Sequence, residues 1–183
     1  VSILVTGGCG FIGSHMCKNL NADGFNVIIL DDLSTGIRET AKYGKLVVGS
    51  FGNASLLEKI FSEQEISSVF HFAGSSLVHE SMSNPGIYYQ NNVTNLVCLL
   101  DKMVSYNVKN LIFSSSAAVY GIPAYLPMDE SHPLEPINVY GRTKLFCEKI
   151  ISDFCDAHEL NAISLRYFNA VGCDPGGELG ERH

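Results

Sequence analysis

A doubly wound, mostly parallel α/β sheet is the fold this sequence predicts, on three observations. Six short apolar runs recur along the chain, amphipathic helical patterns fall between them, and a glycine-rich loop joins the first run to the first helix. The runs cover residues 3–5, 27–30, 46–48, 69–72, 111–113 and 163–165. Apart from His71 and Ser164 they are continuously apolar rather than alternating, as buried strands become when helices cover both faces of a parallel sheet. Such alternation of strand and helix implies right-handed crossovers and a ligand at the carboxyl ends of the strands, where strand order reverses.

The helical patterns follow in order. Ile12, Met16, Cys17 and Leu20 share one face, and Leu56, Leu57, Ile60 and Phe61 share another. Val93, Leu96, Val97, Leu100, Met103 and Val104 form a longer stripe that suits either core or a helix–helix interface, and Leu145, Phe146, Ile150 and Phe154 form a fourth face. The proline-containing stretch 121–136 reads as a loop within one domain, residues 1–183.

Composition narrows the function classes. With 46% apolar and 17% charged residues the chain is ordinary globular protein. A net charge of −7 without a Lys/Arg cluster argues against nucleic acid or an anionic membrane surface as partner. No apolar run approaches the roughly 20 residues of a membrane span, and no basic segment leads into a long apolar one, so a cytoplasmic protein is expected. The cysteines at 9, 17, 98, 147, 155 and 173 lack Cys-x-x-Cys or metal-site spacing and read as reduced thiols. His15, His79, His132, His158 and His183 have no metal spacing either, and His71, inside a strand run, reads as a core histidine. No metal is expected.

Gly8-x-Gly10-x-x-Gly13 follows the first predicted strand and opens the first predicted helix, the context that makes this pattern a dinucleotide fingerprint of a Rossmann-type sheet. One glycine makes the turn, one lets backbone N–H groups reach a pyrophosphate, and one lets helix pack on strand. The helix N-terminus adds about half a positive charge. Asp31, 18 positions beyond Gly13, lies where a carboxylate accepts hydrogen bonds from an unphosphorylated ribose, and Asp32 beside it repels a 2′-phosphate. NAD is favoured over NADP.

The second constellation is Tyr140-Gly141-Arg142-Thr143-Lys144, downstream of Ser114-Ser115-Ser116 at the end of the fifth predicted strand. Residues four apart share a helix face, so the Tyr140 phenol and the Lys144 ammonium converge. The expectation is that the lysine charge, with an oxidised nicotinamide, lowers the phenol pKa. Bringing it near neutrality takes about 4 kcal/mol. Ser116 would hydrogen-bond the same substrate oxygen.

Taken together, "VTGGCGFIGSH", "DDLSTG", "VFHFAG", "YYQNNV", "IFSSSAAVYG", "YGRTK", "LRYFNAVG" and "GELGERH" span the chain. In these motifs it resembles the extended short-chain dehydrogenase/reductases, and among them the NAD-dependent 4-epimerases of UDP-sugars. The resemblance implies that Gly7, Gly10, Phe11, Ile12 and Gly13 hold the pyrophosphate and that Asp31, Asp32, Leu33, Ser34, Thr35 and Gly36 surround the adenosine ribose. It implies that Phe72, Ala73, Gly74 and Ser76 pass beneath NAD, with further contacts from Asn91, Ser114, Tyr140, Lys144 and Phe168. Ser116, Tyr140 and Asn169 would meet the nucleotide sugar.

In this family the tyrosine takes the proton of the sugar C4 hydroxyl, hydride passes to NAD, and the 4-keto sugar takes hydride back on its other face. UDP-glucose and UDP-galactose are thereby interconverted. Related dehydratases and decarboxylases carry an acid just after the catalytic hydroxyl; Ala117 and Ala118 stand there. In the adenine loop, Ser50 and Phe51 replace the family's usual acid and aliphatic residue, and Ser76 replaces a lysine found in some epimerases. The family continues into a C-terminal substrate-binding segment, expected to lie largely outside these residues, which leaves a catalytically silent NAD-binding fragment as the alternative. A homodimer through helices at 91–106 and 140–154 is also implied.

Overall fold

The computed structural model describes residues 1–181, so the expectation for His183 lies outside the described residues. Six parallel strands, β1 (Ser2–Thr6), β2 (Asn26–Asp31), β3 (Lys45–Val48), β4 (Ile66–His71), β5 (Asn110–Ser114) and β6 (Asn161–Leu165), form one sheet. Their order is β3-β2-β1-β4-β5-β6, and every neighbouring pair is parallel. The order reverses between β1 and β4, and the crevice opens there. This is the doubly wound sheet the sequence predicts.

The helices are α1 (Phe11–Ala22), α2 (Ala54–Glu63), α3 (Val78–Ser83), α4 (Pro85–Tyr88), α5 (Asn95–Ser105) and α6 (Val139–His158). One face of the sheet carries α2, α5 and part of α6, where Leu4, Leu57, Leu96, Leu100, Met103, Leu111 and Ile151 pack together. On the other, Val5, Cys17, Leu20 and Ile29 pack under α1. Asn53 caps α2, its side chain accepting from the Leu56 N–H at 3.1 Å, and Asn138 caps α6, accepting from Gly141 at 2.7 Å. Such caps satisfy N–H groups that the first helical turn leaves without partners.

Four details go beyond or against the expectations. The stripe from Val93 to Val104 is chiefly core, since Leu96, Leu100 and Met103 are fully buried. Its helix is not uniform: a π-helical turn, Tyr89–Thr94, joins α4 to α5. Residues 163–165 form an edge rather than a buried strand, and Ile163 is 57% exposed. The short helices α3 and α4 and a 3-10 segment, Arg38–Tyr43, stand where no helix was expected. They are too short to show apolar periodicity.

Among the described residues no helix is long and apolar enough to cross a membrane, and no cluster of His, Cys, Asp and Glu suits a metal. All six cysteines are free thiols.

Candidate active site

A cavity of about 910 Å³ runs along the carboxyl ends of the central strands, lined at one end by Gly7, Gly10 and Asp31 and at the other by Ser116, Tyr140 and Lys144. The chain leaves β1 through Gly7, whose φ of 70° is cheap only for glycine. A Cβ at Gly7 would lie 2.5 Å from Ala73 N, and one at Gly13 would lie 2.2 Å from the Gly7 carbonyl oxygen. These two glycines let loop, strand end and helix close on one another.

Gly10 differs, because a Cβ there would meet only the Gly7 oxygen, at 3.3 Å. It is the N-cap of α1 and offers no capping side chain. Phe11, Ile12 and Gly13, whose N–H groups belong to the first helical turn, line the cavity beside it. An uncapped helix start with a bare backbone approach is a cradle for phosphate.

The spacing therefore begins one residue earlier than expected. Gly8 does not line the cavity; a Cβ there would strike Ile29 Cγ2 at 2.8 Å and Cys17 Sγ at 3.1 Å, so it serves the packing of α1 on the sheet. Gly7 makes the turn.

Asp31 is buried at the end of β2, its Oδ2 accepting from the Cys9 N–H and its Oδ1 from the Leu33 N–H, both at 2.9 Å. Asp32 Oδ1 accepts from the Ser34 N–H at 2.9 Å and the Ser34 hydroxyl at 2.6 Å. Among the described lining residues Lys144, at the opposite end, is the single Lys or Arg, so nothing cationic here suits a 2′-phosphate. The glycine cradle and the two carboxylates fit a dinucleotide with a free ribose.

Asp32, Ser34, Thr35, Gly36, Phe51, Phe72, Ala73, Gly74, Ser76, Asn91, Ser114, Phe168 and Asn169 also line the cavity. Leu33 and Ser50 do not, against expectation. At a φ of 60°, Leu33 turns its side chain into the cluster beneath α1, and Ser50 Oγ accepts from the Gly52 N–H at 3.1 Å.

At the far end, Ser116 caps a 3-10 turn, Ala117–Val119, its Oγ accepting from the Ala118 N–H at 3.2 Å. Tyr140 stands in the first turn of α6, its N–H donating to Ser81 Oγ at 3.1 Å. Lys144, one turn further, is buried; its Nζ donates to the Ser114 carbonyl at 2.7 Å and lies 5.9 Å from the centroid of the Tyr140 ring. The three side chains meet at one wall of the cavity.

Without the nicotinamide, the groups at this wall are shifted chiefly by burial. Burial raises the Tyr140 pKa, and a hydrogen bond with Ser116 opposes it. Burial likewise depresses Lys144 from 10.5 to about 8, against the pull of Cys147 and Glu148. In the protein alone desolvation dominates both groups. His71 is a neutral core residue: burial, then the nearby Lys144 charge, holds it down to about 3, and its Nδ1 pairs with Thr6 Oγ1 at 2.6 Å.

Two groups of residues escaped the sequence reading. Glu80, Ser75 and Tyr167 also line the cavity. Asn92 lies behind it, 3% exposed, its Nδ2 donating to the Ser75 carbonyl at 3.0 Å and Thr143 Oγ1 at 3.1 Å while its Oδ1 accepts from the Ser75 N–H at 2.8 Å. An asparagine doublet directly before an apolar stripe was the available signal.

The model of the NAD dependent epimerase/dehydratase family matches residues 3–182. UDP-glucose 4-epimerase of Lactobacillus helveticus is 45% identical over all of this chain and 56% of its own length. The Bacillus subtilis enzyme of that name is 43% identical over 99% of this chain and 56% of its own. Among solved structures, UDP-glucose 4-epimerase from Brucella ovis in complex with NAD superposes with a TM-score of 0.97 at 43% identity, covering 100% of this chain and 56% of that one. The enzyme from Bifidobacterium longum in complex with NAD+ and UDP gives 0.95 at 40% identity, covering 99% and 57%. The chain spans about half the length of the curated relatives it matches. Glycine cradle, ribose carboxylates and the Ser116–Tyr140–Lys144 wall thus agree with the match along the whole sequence, and the chain belongs to the NAD dependent epimerase/dehydratase family.

Proposed function

We propose that this chain carries the NAD site and the proton-transferring groups of a nucleotide-sugar 4-epimerase that interconverts UDP-glucose and UDP-galactose, with residues 1–183 as its dinucleotide-binding domain. The observation that carries the reading is the convergence of Ser116, Tyr140 and Lys144 on the cavity that begins at the uncapped start of α1. Bound NAD supplies a hydride acceptor that becomes the donor on return. Tyr140 Oη takes the proton of the sugar C4 hydroxyl and gives it back. Ser116 Oγ holds the same oxygen, and Lys144 stabilises the phenolate. Asn169 contacts the nucleotide pyrophosphate.

Ala117 and Ala118 offer no acid or base next to Ser116 to drive an elimination. The 4-keto sugar therefore returns to an alcohol instead of losing water. Because the chain spans about half its relatives' length, the activity is proposed for the full-length protein. The exposed Phe146 on α6 supports a homodimer through the helices at 91–106 and 140–154, and the six free thiols support a cytoplasmic setting. In the full-length protein, Tyr140→Phe should slow conversion of UDP-galactose to UDP-glucose at least about a hundredfold. Unchanged turnover in that variant overturns the reading.

A further inference from the structure

One turn beyond Lys144 on α6, Glu148 receives Arg166 on both carboxylate oxygens, Nε at 3.0 Å from Oε1 and Nη2 at 2.7 Å from Oε2. The carboxylate is 9% exposed and the guanidinium side chain 20%. Arg166 Nη1 also donates to Tyr120 Oη at 3.3 Å, with the guanidinium carbon 5.2 Å from that ring's centroid. Ser115 Oγ donates to the same Glu148 Oε1.

Each member belongs to a segment that carries a reacting group or is hydrogen-bonded to one that does. Ser115 stands between Ser114, whose carbonyl holds the Lys144 ammonium, and Ser116. Tyr120 follows the 3-10 turn that Ser116 caps. Arg166 follows β6 and precedes Tyr167, whose carbonyl accepts from the Ala117 N–H at 3.0 Å. A largely buried ion pair returns little net stability after desolvation, so stability alone does not account for it. A two-point guanidinium–carboxylate fork does fix orientation.

We propose that Glu148 and Arg166 are positioning residues for the reaction assigned above, registering the ends of β5 and β6 against α6 so that Ser116, Tyr140 and Lys144 meet at one substrate oxygen. The inference rests on that assignment. It also has an electrostatic arm. Facing the Lys144 amine are Tyr140, Cys147 and Glu148 from α6, His71 from β4 and the Phe113 ring from β5. Burial holds the Cys147 thiol up at about 11 and His71 down to about 3. The Glu148 carboxylate, held by the Arg166 fork, favours the Lys144 ammonium.

The test follows the Lys144 ε-carbon by NMR titration in full-length protein without added nucleotide, beside epimerase kinetics. For Glu148→Gln the Lys144 midpoint should fall by about half a pH unit or more. kcat should fall about tenfold or more, with KM for the UDP-sugar within about twofold. If that variant does not fold, Glu148→Gln/Arg166→Gln, which strands no buried charge, is read the same way. A midpoint that stays put in the folded variant overturns the proposal, as does a loss of kcat that disappears once thermal stability is restored by lowering the temperature. If Tyr140→Phe abolishes turnover while the midpoint stays put, the pair fails and the epimerase reading stands. Retained turnover in Tyr140→Phe removes the epimerase reading whatever the lysine does.

Discussion

Lys144→Met should make the fold more stable at neutral pH and less so, by comparison, in alkali. Lys144 is 4% exposed, and burial lowers its pKa from 10.5 to about 8. Below pH 8 the amine is protonated in both folded and unfolded chains, and keeping that charge buried costs about 3 kcal/mol, at about 1.4 kcal/mol for each pH unit of difference. Between pH 8 and 10.5 the unfolded chain binds the extra proton, so folding stability rises with pH and the cost fades, to about 1.5 kcal/mol near pH 9.5. Methionine keeps the apolar stem and removes the charge, while the Ser114 carbonyl loses its donor at about 1 kcal/mol. The net expectation is a variant about 2 kcal/mol more stable than wild type at pH 7 and nearly equal to it at pH 9.5. Urea unfolding of both proteins at the two pH values, without nucleotide, reads the gap directly. A variant less stable at pH 7, or a gap of the same size at both pH values, refutes the claim that a buried charge dominates this position. The expected loss of activity with gained stability is the usual trade at a catalytic centre.

Three further substitutions probe the cradle and its support. Gly13→Ala forces a Cβ to 2.2 Å from a backbone oxygen and should lower the melting temperature and abolish NAD binding. Gly10→Ala, whose nearest neighbour would be 3.3 Å away, should fold normally yet bind NAD about tenfold more weakly or worse, both read by calorimetry. Asn92→Ala removes three hydrogen bonds between the π-helical turn, the loop after β4 and α6, and should cost about 2 kcal/mol in urea unfolding. A cost near zero there would mean that water replaces the side chain.

Periodicity and glycine placement alone determine the sheet, its parallel strands and the end at which a ligand binds. Period is a local property: continuous apolar runs for strands covered on both faces, 3.6-residue faces for α1, α2, α5 and α6. The same locality brings Tyr140 and Lys144 onto one helical face. Where the pattern had no local consequence it misled. Gly7 and Gly8 are equivalent in a sequence, and only contacts 66 and 21 positions away, with Ala73 and Ile29, decide that Gly7 turns and Gly8 packs. Edge or centre is equally invisible in residues 163–165, since burial there depends on what lies beside β6. The tertiary structure alone decided the sign of the Tyr140 shift, because desolvation is summed over every atom that displaces water, while spacing along a helix counts one neighbour. It alone joined Ser115, Tyr120, Glu148 and Arg166, four residues from three segments whose charges and hydroxyls carry no periodicity at all.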